Sequence, residues 1–191
     1  MATNIAIKPE LRQKAQLMSA NEMERTLTRM AYEIIERNDG TQDLVLIGIR
    51  RRGIPLAERL SKLIAAIDNT PVPVGALDIT FYRDDLSTIG PKPVVQEREI
   101  GCTIDDERII LLDDVLFTGR TVRAALDALF AHGRPRSVEL AVLIDRGHRE
   151  LPVYASFVGR TVQTTMNEVI EVKLSEIDHA DKVLLMERSF Q

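Results

Sequence analysis

Three short apolar runs constrain the fold of this chain more than any other feature. Leu44–Ile49, Ile109–Leu112 and Leu140–Ile144 are continuous rather than alternating, which is typical of strands buried on both faces of a sheet. Apolar residues recur at helical spacing between these runs, over about 19–38, 53–67 and 121–131. Because strands that alternate with helices form parallel sheets with right-handed crossovers, we predict an α/β domain with a mostly parallel central sheet flanked by helices.

Outside these elements the sequence predicts further strands and two irregular segments. Val74–Phe81 favours a fourth strand, and shorter strand-like pieces follow at Ala155–Val158, Val169–Leu174 and Val183–Met186. Residues 1–18 have no regular pattern, so we expect a loose N-terminal arm before a single domain over 19–191. Residues 82–104 also lack a period. Long irregular loops in compact domains are often lids, and we expect a flexible active-site loop there.

The composition excludes several classes of protein. The single cysteine, Cys102, rules out an intrachain disulfide and favours a reducing cytoplasm. No apolar run approaches the roughly 20 residues that span a bilayer, so we expect no membrane partner. The formal net charge of −4 argues against a surface that is basic overall, although it allows a local basic patch.

Charged residues follow three of the predicted strands directly. Arg50–Gly53 comes after the first run, Asp113–Asp114 after the second and Asp145–Arg149 after the third. The carboxyl ends of parallel strands lie along one edge of a sheet, where α/β proteins bind their ligands. We therefore expect a polar site at this edge.

The segment after the middle strand has the most specific pattern. Thr118 and Gly119 lead straight into a predicted helix, whose first N–H groups and dipole favour a phosphate. Asp113 and Asp114 would repel that phosphate but suit ribose hydroxyls or Mg²⁺. Taken singly, an acidic turn or a Thr-Gly helix cap would be ordinary; together they describe a site for a ribose 5-phosphate. The sequence contains neither a P-loop motif nor a G-x-G-x-x-G motif, which disfavours those nucleotide sites.

Ile109–Thr121 resembles the phosphoribosyl pyrophosphate (PRPP) motif of type I phosphoribosyltransferases. With Asp78–Leu86 before it and Leu143–Pro152 after it, the chain is similar to the PyrR family. Members of that family are bifunctional: they are RNA-binding attenuation proteins of pyrimidine operons and uracil phosphoribosyltransferases. The resemblance extends from about Ser19 to Glu187. It implies a type I phosphoribosyltransferase fold with a small C-terminal hood, formed by about 150–191.

The resemblance also implies a site for uracil, PRPP and UMP. Asp113 and Asp114 would hold the ribose hydroxyls, directly or through Mg²⁺, and would act in catalysis. Arg51 and Arg52 would contact the pyrophosphate, and Arg83 would lie at the base of a loop that closes over the substrate. The remaining positions matched to nucleotide contacts are the 5-phosphate loop, a nucleotide-binding arginine and a hood residue whose backbone reads uracil: Val115, Leu116, Phe117, Thr118, Gly119, Arg120, Thr121, Arg146 and Ile170.

A leader mRNA of a pyrimidine operon is a further partner that the resemblance implies, bound on a basic face away from the nucleotide. The positions that match the RNA-binding residues of the family are Thr28, Arg29, Arg37, His148, Arg149, Arg160 and Thr164. At four positions the chain departs from the residue that is common in the family. Tyr32 stands in place of His, Arg51 of Thr, Phe117 of Tyr and Arg160 of Lys.

Two alternatives remain open at this level. The chain could be an RNA-binding regulator that only senses nucleotide in the phosphoribosyl pocket, or a phosphoribosyltransferase for another base. Scattered arginines on an ordinary solvated surface would also explain the basic set. We expect a homo-oligomer in the cytoplasm.

Overall fold

The computed structural model describes residues 10–82 and 100–189. Its central sheet consists of β2 (Leu44–Ile49), β3 (Val74–Leu77), β4 (Arg108–Leu116), β5 (Ser137–Asp145) and β6 (Phe157–Thr161). These five strands are all parallel and lie in the order β3-β2-β4-β5-β6. The predicted α/β architecture with a parallel sheet is therefore confirmed.

The helices also follow the predicted pattern. They are α1 (Ala20–Arg37), α2 (Gly53–Asp68), α3 (Arg120–His132) and a short α4 (Ser175–Asp178). At the start of α1, the Ser19 side chain accepts from the Glu22 N–H, while the Glu22 carboxylate accepts from the Ser19 N–H at 2.8 Å. This capping box satisfies two backbone donors that the first turn would otherwise leave unpaired.

Both faces of the sheet are buried, which explains the continuous apolar runs. Leu44 and Leu46 pack with α1 and α2 in one core cluster, whereas Val45 and Ile47 pack with α3 in the other. Successive residues of a strand point to opposite faces, so every position of β2 is apolar or glycine and buried. The sheet is thereby held between two helical layers, with its carboxyl edge left for the loops.

The hood is a second, antiparallel sheet. It contains β1 (Glu10–Met18), β7 (Glu168–Lys173) and β8 (Lys182–Ser189) in the order β1-β8-β7, and α4 lies between β7 and β8. The prediction of a loose arm is wrong for residues 10–18. Glu10 pairs with Ser189 and Met18 with Val183, so this segment forms an edge strand. Its side chains are mostly exposed and polar, and backbone pairing with a distant strand accounts for its order.

Two other segments differ from the prediction. The strand after α2 ends at Leu77, because the Asp78 carboxylate accepts from the N–H and hydroxyl of Thr80 and starts a 3₁₀ turn over Thr80–Tyr82. Phe157–Thr161 joins the central sheet beside β5, although it was predicted within the hood region. Most of the predicted 82–104 loop, including Arg83, lies outside the described residues. No described helix is long and apolar enough to cross a membrane.

Candidate active site

A cleft of about 390 Å³ lies at the carboxyl edge of β2 and β4. Four residues predicted from the sequence line it together, namely Arg51, Arg52, Asp113 and Asp114. The cleft also contains residues to which no role was assigned from the sequence: Arg50, Asp78, Ile79 and Thr80. Their positions follow from the parallel sheet, because the loops after β2, β3 and β4 all leave the sheet at this edge.

A close approach of two backbones fixes the arginine loop beside the acidic pair. A Cβ atom on Gly53 would lie 2.3 Å from the carbonyl oxygen of Leu112, and one on Gly48 would lie 2.5 Å from Gly53. Only glycine therefore allows α2 to begin this close to β4. Since Leu112 directly precedes Asp113, the contact places Arg50, Arg51 and Arg52 next to the two carboxylates.

In the acidic pair Asp113 is buried, Asp114 is half-buried, and the pKa of both carboxyls is raised. Asp113 is 9% exposed and accepts from the Asp114 N–H at 2.9 Å, while Asp114 accepts from the Val115 N–H at 2.9 Å. Burial raises the pKa of both carboxyls, and the neighbouring Asp114 charge raises that of Asp113 further. The Arg52 charge opposes the effect of burial at Asp114. Two crowded carboxylates of this kind suit hydroxyl donors or a cation.

The predicted phosphate loop connects β4 to α3. Gly119 occupies the left-handed region with φ +93°, and α3 begins at the next residue. The Thr118 hydroxyl accepts from the Arg120 N–H at 3.3 Å. A Cβ atom on Gly119 would lie 3.3 Å from carbon atoms of Leu151 and Val153. The loop therefore leads into the positive end of α3 with little room behind it.

Arg149 holds this loop from behind. Its guanidinium donates to the carbonyl oxygens of Phe117 at 2.8 Å, Gly147 at 3.0 Å and Val153 at 3.0 Å, and it pairs with the Asp145 carboxylate at 2.6 Å. Only 16% of its side chain is exposed. This differs from the expectation of an RNA-binding surface arginine, because most of its donors are satisfied inside the protein. The sequence contains no local signal for this role.

Arg146 lies at the junction of the sheet and the hood. Its guanidinium stacks on the Phe117 ring at 4.0 Å and donates to the Thr164 hydroxyl at 3.1 Å and the Glu168 carbonyl at 2.8 Å. Burial lowers the pKa of Arg146, and the nearby Arg188 charge lowers it further. Ile170 lies in β7, one of the two edge strands of the hood sheet in the described chain, with its side chain buried. The backbone of Ile170 is thus the part that could read a base.

Two of the predicted RNA residues contact the predicted nucleotide residues Phe117 and Arg146 directly. His148 Nε2 lies 2.6 Å from the Thr164 carbonyl oxygen, and its ring packs edge-on against Phe117 at 5.9 Å. Thr164 in turn accepts from Arg146. The two sets, which the resemblance presented as separate sites, therefore meet around Phe117.

The other predicted RNA residues lie on or beside α1, most of them where α1 packs against β6. Arg29 donates to the carbonyls of Val158 and Gly159 at 3.1 and 2.6 Å. Arg160 donates to the Leu17 carbonyl and lies 3.5 Å from Glu22, near the start of α1. At the other end of α1 the remaining arginine, Arg37, pairs with Glu139 at 2.8 Å, and the exposed Thr28 hydroxyl bonds within the helix to Glu24. We call the surface formed by Thr28, Arg29, Arg37 and Arg160 the seam.

Comparison with known proteins identifies the family. Residues 13–176 match the family model described as the phosphoribosyl transferase domain. The chain is 56% identical to a bifunctional protein PyrR of Thermus aquaticus, covering 93% of this chain and 98% of that protein. It is 54% identical to another from Pelotomaculum thermopropionicum, covering 92% and 97%. The chain belongs to the PyrR family of phosphoribosyltransferases.

Solved structures show the same fold in more distant enzymes. A hypoxanthine-guanine phosphoribosyltransferase of Bacillus anthracis superposes with a TM-score of 0.69 at 18% identity, over 93% of this chain and 99% of that one. A hypoxanthine phosphoribosyltransferase of Trypanosoma cruzi gives a TM-score of 0.70 at 17% identity, over 92% of both chains. At such identities the likeness concerns the fold alone. It confirms the phosphoribosyltransferase fold predicted for this member of the PyrR family.

Proposed function

We propose that this protein transfers the phosphoribosyl group of PRPP to uracil, giving UMP and pyrophosphate. We also propose that it regulates a pyrimidine operon by uridine-nucleotide-dependent binding to leader mRNA. One observation carries the enzymatic half: Asp113 and Asp114 line one cleft with the arginines of the loop after β2, and the start of α3 follows them in the chain at Arg120. A ribose that carries pyrophosphate at one end and a 5-phosphate at the other fits this order of groups.

The reaction is a direct displacement that needs no protein nucleophile. Uracil N1 attacks the anomeric carbon, the bond from that carbon to the pyrophosphate oxygen breaks with its electron pair going to that oxygen, and the N1 proton passes to solvent water. The sugar becomes cationic in the transition state while pyrophosphate gains negative charge. Arg51 and Arg52 stabilise that leaving group, and the loop Val115–Thr121 holds the 5-phosphate. Asp113 and Asp114 orient the ribose by accepting from its hydroxyls. Arg83 is the third residue for which we predict a role in catalysis, and it lies outside the described residues.

Mg²⁺ is the cofactor that fits these residues. The observation in its favour is that two carboxylates, one buried and one half-buried, lie side by side with raised pKa values, and a divalent cation would offset their mutual repulsion. Asp113 and Asp114 would hold it, directly or through the ribose hydroxyls. When bound, the ion supplies charge neutralisation for the pyrophosphate.

The seam supports the RNA-binding half of the proposal. Its arginine contacts run from Glu22 to Arg37, about 22 Å along α1 at about 1.5 Å per residue. The side chains of Arg29, Arg37 and Arg160 are 47%, 58% and 39% exposed, so phosphates can reach them. Guanidinium groups and the exposed Tyr32 ring can also stack on unpaired bases. His148 and Thr164 extend the surface towards the nucleotide, whereas Arg149 acts on it through the loop that it holds.

The proposed partners include further copies of the chain. Phe130 and Tyr154 are 57% and 81% exposed, and aromatic side chains of this kind favour protein interfaces. A homo-oligomer would cover these aromatic side chains, and the single Cys102 fits a reducing cytoplasm. The molar mass in solution, measured by light scattering, tests whether the chain forms a homo-oligomer.

Steady-state formation of UMP from uracil and PRPP tests the enzymatic proposal, with hypoxanthine, guanine and cytosine as control bases. Turnover with another base only would make the protein a phosphoribosyltransferase for that base. UMP binding without turnover would make it a regulator that senses nucleotide. A filter-binding titration of a pyrimidine leader RNA, with and without UMP, tests the regulatory half.

A further inference from the structure

We infer that Asp178, in the hood, is a positioning residue for Arg52 in the pyrophosphate loop. Arg52 Nη2 donates to both oxygens of the Asp178 carboxylate, at 2.9 and 3.0 Å. The two side chains are 28% and 17% exposed, so water screens the pair only in part. The residues are 126 positions apart in sequence. Arg52 lies in the loop between β2 and α2, whereas Asp178 lies in α4, between β7 and β8 of the hood. The inference rests on the proposed function, since it concerns how PRPP is bound.

The Asp178 carboxylate is itself held in place. Its Oδ2 atom accepts from the Leu174 N–H at 3.0 Å, and the backbone N–H of Asp178 donates to the Leu174 carbonyl at 2.6 Å. The Leu174 side chain is fully buried in the core cluster that also contains α1 and α2. Burial raises the pKa of Asp178, but the Leu174 N–H and Arg52 outweigh burial, so the pKa lies below its ordinary value. Asp178 is therefore a fixed anion near neutral pH and can fix the guanidinium that it contacts.

Arg52 retains donors for a ligand while Asp178 holds it. Its Nε atom is buried and has no hydrogen-bond partner among the residues that the structure describes. The same side chain lines the cleft, and its charge acts on Asp114. A buried donor without an acceptor is unfavourable, so the site favours a ligand that brings oxygen atoms. Pyrophosphate oxygens at this position would satisfy Nε while Nη2 remains on Asp178.

A second arginine anchors the same part of the hood independently. Arg59 lies seven residues after Arg52, two turns along α2, and pairs with Glu176 at 2.6 Å and Asp181 at 2.6 Å. It also donates to the Ser175 hydroxyl at 2.9 Å. Loss of the Asp178 carboxylate therefore leaves α4 attached to α2. Glu176 offers a matched control, because it is a carboxylate on the same short helix whose arginine does not line the cleft.

The test compares Asp178→Asn with Glu176→Gln, which remove one negative charge each. An unrestrained Arg52 has to be ordered when PRPP binds, so Asp178→Asn should raise KM for PRPP about 3- to 10-fold. The inhibition constant for pyrophosphate should rise by the same factor, while KM for uracil stays unchanged. Glu176→Gln should leave all three constants at wild-type values. Asp178→Glu, which keeps the charge, should recover part of the PRPP affinity.

An unchanged KM for PRPP in Asp178→Asn would overturn the inference. An equal rise in Glu176→Gln would overturn it as well, because the hood attachment as a whole would then be responsible. The proposed function fails separately, if the wild-type protein forms no UMP. In that event calorimetric titration of wild type and Asp178→Asn with PRPP decides the matter: weaker binding by the variant supports the inference, and equal or absent binding contradicts it.

Discussion

The phosphate loop yields the sharpest prediction, through the substitution Gly119→Val. Gly119 has φ +93°, a conformation that costs a residue with a side chain about 1–2 kcal/mol and a β-branched residue more. A Cβ atom on this residue would lie 3.3 Å from carbon atoms of Leu151 and Val153, and valine adds two methyl groups to that Cβ. The loop must therefore move away from the segment behind it, and its N–H groups move with it.

The expected loss of affinity follows from that strain. Strained backbone positions cost of order 1–3 kcal/mol, and each 1.4 kcal/mol corresponds to about a tenfold change in affinity. Gly119→Val should thus weaken UMP about 10- to 100-fold and raise KM for PRPP by a similar factor, since both ligands present a 5-phosphate to the same loop. Isothermal titration calorimetry measures the UMP affinity, and circular dichroism checks that the fold persists.

Gly40→Val is the matched control. Gly40 has φ +104°, nothing lies within 4 Å of its Cβ position, and it follows α1 at the edge of the sheet opposite the cleft. It should lose stability through similar strain while binding UMP as the wild type does. An unchanged UMP affinity in Gly119→Val would refute the assignment of the 5-phosphate to this loop, as would an equal loss in Gly40→Val.

The remaining predictions concern catalysis, RNA binding and acid stability. Asp113→Asn and Asp114→Asn should each reduce the rate of UMP formation by about two orders of magnitude or more, measured at saturating PRPP and uracil, because a neutral amide orients the ribose less strongly. Arg29→Ala should weaken leader RNA binding and reduce its log–log salt slope by about one, with UMP formation unchanged. The Lys14 ammonium and the Thr165 N–H lower the pKa of Glu168 from 4.5 to about 2. Because the folded pKa is depressed, this stabilisation is present above about pH 4.5 and is lost as the pH falls towards 2. Urea unfolding of Glu168→Gln should accordingly show a smaller fall in stability between pH 6 and pH 3 than the wild type.

Each of these measurements has a control and an adverse result. For RNA binding the control is Arg123→Ala, which removes an equally exposed arginine from α3; an equal effect of the two would mean that general charge, and not the seam, binds RNA. Full activity of both aspartate variants would remove the acidic pair from the mechanism. Parallel acid-unfolding curves for Glu168→Gln and wild type would show that the Lys14 contact does not contribute to acid stability.

Local sequence patterns predicted the central sheet and the position of the site. Runs such as Leu44–Ile49 are apolar at every position because both faces of the strand are covered, and that burial is visible without any knowledge of the partners. The acidic pair and Gly119 are likewise local, since a strand end, a turn and a helix start follow one another within nine residues. Parallel strands then require these groups to meet the arginine loop at one edge.

No local sequence pattern predicted the contacts between distant segments. β1 is polar along most of its length and is ordered by backbone pairing with β8, so the sequence resembled a loose arm. Arg149 looked like a surface arginine, but its acceptors are carbonyl groups of two loops that only the folded chain brings together.

The sequence by itself thus determined the class of fold and, through its resemblance, the family, and it predicted the phosphoribosyl site. Only the tertiary structure decided that Arg149 holds a loop and that Asp178 holds Arg52. The physical reason is that burial and helix periodicity are encoded by neighbouring residues, whereas the partner of a guanidinium depends on where other segments of the chain come to lie, such as Asp178 for Arg52, 126 residues away.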